Sequence, residues 1–119
     1  MQIYSVPVAH SHAAVAYRIA APDGRSVTYS GDTGFTPALI ELAAGTDLLL
    51  TECSFPQSMK MAGHLTPEEA ADIAGEAKCK KVVLVHLYPV FGETDPVQAV
   101  QKKFNGTVIL GKDLMRFQI

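Results

Sequence analysis

Four positions place a metal-competent side chain where an extended segment gives way to a loop: His10, Asp32, His64 and His86. A carboxylate with imidazoles is the donor set that Zn²⁺, Mn²⁺ or Fe accepts. "VTYSGDTG" runs into Gly31-Asp32-Thr33, and "VVLVHLYP" runs into His86. In α/β sheets, ligands and catalytic groups gather at such strand ends, because the strands are rigid and the loops can be shaped. Each residue also has a plain structural reading. Asp after Gly is a common turn residue, a lone His at a strand end is commonly structural, and His64 stands two residues before a helix cap, where it can sit in solvent. "HSH" at 10–12 raises the same question as a possible metal pair, but His12 has no partner in sequence.

The elements that must position these groups are well punctuated. "QIYSVPV", "AAVAYRIA" and "SVTYS" are rich in β-branched and aromatic residues, and the turn "PDGR" separates the last two, so antiparallel strands are expected. Thr36 caps and Pro37 opens a short helix over "ALIELAA" that Gly45 ends. "DLLLTEC" reads as a buried strand. Thr66, Pro67 and Glu69 form a capping box ahead of "LTPEEAADIAGEAK". "KKVVLVHL" is a second buried strand, Asp95-Pro96 starts a third helix over "PVQAVQKKF", and "GTVIL" and "LMRFQI" finish as strands. The order β-β-β-α-β-α-β-α-β-β predicts an α/β fold, a β-sheet layered with three helices. Three short helices cover one sheet face, and the apolar strands need cover on both.

Bulk properties narrow the function. At 119 residues and 48% hydrophobic content, the chain suffices for one domain over 1–119 and is too short for two. A net charge of −2 with interspersed acids and bases offers no basic stripe, so long nucleic acid is not an expected partner, whereas a small polar or anionic substrate is compatible. Cys53 and Cys79 belong to no CxxC or CxxH pair and are expected as reduced, buried thiols. No apolar run reaches the ~20 residues of a membrane span, and "MQIYSVPVAH" lacks the pattern of a signal peptide. A soluble, cytoplasmic protein is the expectation.

Taken together, the motifs resemble those of the metallo-β-lactamase-fold hydrolases, particularly the branch around ribonuclease Z. "YSGDTG" is similar to that family's SGDT motif, whose aspartate bridges two metal ions and falls on Asp32. "VVLVHLYP" resembles the segment bearing the last metal-binding histidine, which falls on His86. "AGHLTPEEAADIAGEAK" resembles the stretch whose histidine, here His64, protonates the leaving group or holds the scissile phosphate, with Leu65 where the branch often has Ser. "HSHAAVAYRI" is similar to a pattern with a metal-binding histidine seven residues before the Tyr; counting back from Tyr17-Arg18 gives His10, not His12. The resemblance spans residues 6–119 and implies His10, Asp32 and His86 as metal ligands, with Asp32 and His64 as catalytic residues. It implies two divalent ions, zinc first with manganese or iron as alternatives, and a metal-activated water attacking a phosphodiester or other ester. The helix after His64 is expected to offer its N-terminal amides to an anion.

The same comparison exposes a deficit, because the family's HxHxDH motif is absent and Ala13 and Ala14 cannot supply it. The chain therefore resembles the C-terminal half of the αβ/βα sandwich, whose two halves pack sheet against sheet. It is expected to bind metal weakly or not at all alone, and to pair with an N-terminal half or with a second copy. Only "IAAPDGRSVTY" separates the Tyr-Arg strand from SGDT, where transfer-RNA-processing members carry a long insertion, so a smaller substrate is favoured. The alternative is a truncated or split half-domain without activity of its own.

Overall fold

The computed structural model describes residues 1–119. Six strands form one sheet in chain order, β1 (Gln2–Pro7), β2 (Val15–Ala20), β3 (Ser26–Tyr29), β4 (Leu48–Glu52), β5 (Lys81–Val85) and β6 (Thr107–Leu110). Strands β1 to β3 pair antiparallel, and β3 to β6 pair parallel. The change of mode follows the connections: turns join the first three strands, whereas helices α1 (Pro37–Leu42), α2 (Pro67–Glu76) and α3 (Pro96–Gln101) cross between the later ones.

Each helix starts where its capping residues stand. Thr36 accepts from the Ala38 amide, Asp95 accepts from Val97 and Gln98, and Thr66 and Glu69 close a reciprocal capping box. The turn after β2 is pinned by Asp23, which accepts from the Arg25 amide and side chain. Arg18 reaches from β2 to the carbonyls of Leu42 and Ala44, at 3.0 and 2.7 Å, where a cation satisfies the open end of α1.

All three helices pack on one face, over Ala16, Leu49, Val82, Leu84 and Val108. The cross-strand register places Ser5, Tyr17, Tyr29, Leu50, Val83 and Ile109 in one row, and Ile3, Ile19 and Val27 beside it, on the opposite face. Ile3, Tyr17, Ile19 and Tyr29 are exposed there. A single layer of helices leaves the β1–β3 end of this side open, whereas Val83 of β5 is buried.

The terminal segment "LMRFQI" departs from expectation. Its alternation predicts a strand, but residues 114–119 join no ladder. A strand exists only against a neighbour. Here the segment crosses the open face, bounding a groove with Leu50, Val83 and Val85, and the Ile119 carbonyl accepts from Arg25 at 2.9 Å. The helices are also shorter than their sequence patterns, α3 ending at Gln101 rather than running through Phe104.

Candidate metal and catalytic site

The C-terminal ends of β1, β3, β4 and β5 lie along one edge of the sheet, because β1 runs in the same direction as the parallel set. Four polar groups emerge there from separate loops. His10 lies in the bend after β1, Asp32 follows β3, His86 follows β5, and His64 precedes α2. His10 and His12 both lie in the bend and turn that follow β1, and both are exposed.

The structure brings three imidazoles together. The ring centroids of His10 and His64 are 5.0 Å apart, and those of His64 and His86 are 5.7 Å apart. Asp32 Oδ1 lies 3.7 Å from His86 Nδ1, too long for a hydrogen bond but close enough to belong to the same site. Phe55 stacks on Tyr88 at 4.7 Å beside His64, forming one aromatic wall.

Backbone geometry fits the crowding. Gly31 has φ +59, and a Cβ there would sit 2.7 Å from the Val15 carbonyl oxygen, so the turn that carries Asp32 requires glycine. Gly63 has φ +81 and lets its carbonyl meet His10 Nδ1 at 3.0 Å. His86 adopts φ +57, a left-handed conformation unusual for a residue with a Cβ.

Two residues that no sequence motif marks, Glu52 and Ser54, organise the site. Glu52 is essentially buried, yet each carboxylate oxygen is satisfied twice. Oε1 accepts from the Thr33 amide at 2.9 Å and His64 Nδ1 at 2.8 Å; Oε2 accepts from the Leu65 amide at 2.9 Å and Ser54 Oγ at 2.7 Å. One side chain thus ties the Asp32 loop to the His64 loop. Its signal was present in "DLLLTEC": an acid inside an apolar strand is buried, and a buried carboxylate needs donors.

Glu52, His64 and His86 present ligand atoms within 4.8 Å of one another, a spacing that could hold a metal ion. Ser54 Oγ stands among them, at 2.7 Å from Glu52, 2.9 Å from His86 Nδ1 and 3.3 Å from His64 Nδ1. That interior is filled by a hydroxyl. The atoms left free for a metal would instead be the Nε2 nitrogens. His10 Nδ1 meets a carbonyl and His64 Nδ1 a carboxylate, both acceptors only, so each Nδ1 carries the proton and leaves Nε2 with a lone pair. This is the arrangement of a histidine prepared to ligate. The described groups therefore fit a divalent metal, with fewer protein ligands than a closed two-metal site needs.

The start of α2 does not serve as the expected anion cradle. Pro67 has no amide hydrogen, Thr66 already caps the Glu69 amide, and Glu68 and Glu69 put negative charge in the first turn. Cys53 and Cys79 are free and buried, and burial pushes both thiols up to about 12.

Comparison with known proteins agrees with the fold and with the family resemblance. The family profile described as a β-lactamase superfamily domain matches residues 1–87. An uncharacterized protein of Mycobacterium tuberculosis, Rv1339, is 37% identical over 103 residues, covering 85% of this chain and 38% of the relative. A ribonuclease Z of Archaeoglobus fulgidus is 33% identical over 101 residues, covering 81% of this chain and 33% of the relative. Among solved structures, the metallo-β-lactamase fold protein YhfI from Bacillus subtilis superposes with TM-score 0.82 at 28% identity, covering 92% of this chain and 46% of that one. The short form of human tRNase Z shares the fold, with TM-score 0.73 at 22% identity, covering 95% and 41%. This chain spans less than half the length of each of these proteins. On the family match and the shared architecture, the chain belongs to the β-lactamase superfamily and has part of the metallo-β-lactamase fold.

Proposed function

We propose that this chain is the C-terminal portion of a metal-dependent hydrolase acting on a phosphodiester or other ester. One observation carries the proposal: His10, Asp32, His64 and His86 converge at one sheet edge, and the hydrogen bonds of His10 and His64 leave Nε2 available. His10 and His86 would each hold one ion, and Asp32 would bridge the two. Zinc suits this donor set first, with manganese or iron as alternatives. Bound metal supplies a more acidic water near neutral pH and a charge that polarises the substrate oxygen. His64 would act as general acid or phosphate clamp through Nε2 when the ring carries both protons, its Nδ1–H held by the Glu52 carboxylate. The buried Glu52 cluster holds the loops at a fixed distance, so that the acid and the ligands keep their spacing.

The ligand set is incomplete in this chain, and the open apolar face is where a second half would pack. Those two features also favour a second reading, an inactive half-domain that folds by self-association. The deciding experiment measures metal content and phosphodiesterase activity of this chain with and without the family's N-terminal half. Activity only with both halves is expected. Activity of this chain alone overturns the half-site proposal, and inactivity of both preparations overturns the hydrolase. The chain alone is expected to bind Zn²⁺ weakly; stoichiometric, submicromolar binding by calorimetry refutes that.

A further inference from the structure

We infer that Ser54 is a positioning residue: its buried hydroxyl sets the proton arrangement of His86 and, through Glu52, joins it to His64 before metal or substrate arrives. This deepens the hydrolase proposal and rests on its assignment of His86 and His64.

A hydroxyl has one proton to give and two lone pairs to receive. Among the groups around Ser54 Oγ, two can only accept, Glu52 Oε2 at 2.7 Å and the His86 carbonyl at 3.0 Å. The carboxylate is nearer and makes the stronger bond, so it takes the proton. Oγ then faces His86 Nδ1 at 2.9 Å with a lone pair, and the ring nitrogen must be the donor. His86 is thereby held as the Nδ1–H form with Nε2 bare. The result is a connected path, His86 Nδ1–H to Ser54 Oγ–H to Glu52 Oε2, while Glu52 Oε1 receives His64 Nδ1–H.

The backbone of Ser54 reinforces the path. Its amide donates to the Leu65 carbonyl at 3.0 Å, and its carbonyl accepts from the Tyr88 amide at 3.1 Å. One residue therefore clamps the loop behind His64 and the loop behind His86, across the position where His86 takes its left-handed φ.

The test reads imidazole protonation in the metal-free 119-residue chain, by long-range ¹H–¹⁵N correlation of ¹⁵N-histidine-labelled protein. Measurements are made near pH 8.5, about two units above the ordinary imidazole value. Wild type is expected to show His86 and His64 both as Nδ1–H. Ser54→Ala should return His86 to the tautomer mixture of free histidine while His64, still held by Glu52, keeps Nδ1–H. Ser54→Thr, which restores a hydroxyl, should restore His86. A loss of packing alone would disturb both rings and would not be rescued selectively. Nε2–H at His86 in wild type or in Ser54→Thr overturns the inference, as does an unchanged His86 in a folded Ser54→Ala. If Ser54→Ala does not fold, wild type and Ser54→Thr decide. The readout needs neither metal nor turnover, so an inactive reconstituted enzyme with these tautomers refutes the hydrolase and leaves Ser54 in place.

Discussion

Replacing Glu52 with Gln keeps the shape of the side chain and removes one of its two acceptor oxygens. All four partners of Glu52 are donors: two backbone amides, Ser54 Oγ and His64 Nδ1. The amide group of Gln therefore cannot satisfy both sides. Its best orientation turns the oxygen toward Thr33 and His64 and the NH₂ toward Ser54, whose hydroxyl can turn to accept; the Leu65 amide is then left facing a donor. A buried amide without a partner costs about 1–3 kcal/mol, and bonds to a charged acceptor exceed neutral ones by up to ~1.5 kcal/mol each. Against this, the wild-type carboxylate bears a desolvation cost of several kcal/mol that Gln relieves. With four short donors the carboxylate is well compensated, so the loss dominates, and Glu52→Gln should destabilise by about 2–3 kcal/mol. Urea titration at unchanged m measures this, and hydrogen exchange should accelerate first at the Leu65 amide. A change below about 1 kcal/mol, or a gain, would show that the burial cost of the carboxylate outweighs its bonds and would refute the reasoning.

Gly31→Ala should cost at least ~2 kcal/mol in denaturant unfolding, since an L residue at positive φ costs about 1–2 kcal/mol and the Val15 carbonyl stands 2.7 Å from the new Cβ; a neutral substitution refutes the required turn. The Lys80 ammonium and the Ser26 amide hold Asp47 below the ordinary carboxylate range. Its contribution is therefore present above about pH 4 and is lost as pH falls through its lower folded value, so Asp47→Asn should flatten that part of the acid limb of urea midpoints, and parallel limbs refute it. Cys53 and Cys79, with thiols raised to about 12, should resist a thiol reagent at pH 8 until the protein unfolds; reaction at the rate of an exposed thiol contradicts their burial. The open sheet face should drive self-association that Ile19→Lys reduces, measured by light scattering, and a wild-type monomer at high concentration counts against it.

The local signals in the sequence describe local structure well. Thr36, Thr66 and Asp95 cap where their side chains dictate, and "PDGR" turns between β2 and β3, because these motifs act over three or four residues. The strand expected at "LMRFQI" fails for the opposite reason: alternation shows which residues suit a strand, while the pairing partner is a long-range fact. Site geometry divides in the same way. His10, Asp32, His64 and His86 carry visible chemistry and lie at one sheet edge. Glu52 and Ser54 were hidden inside and just after an apolar run, and their importance arises from contacts with Thr33, Leu65 and His86, all ten or more residues away.

Strand order has a consequence for how the molecule assembles. Each ladder joins strands that are neighbours in the chain, so the sheet can grow outward from any early pair without waiting for a distant segment to be inserted. Closing a modest loop at each step keeps the entropic barrier low. The last pairing to form leaves an edge rather than a gap, and both β1 and β6 remain open in this way. A sheet that grows by sequential addition can be lengthened or met by another sheet after its own folding is done, which would separate the folding of this chain from the completion of the proposed site.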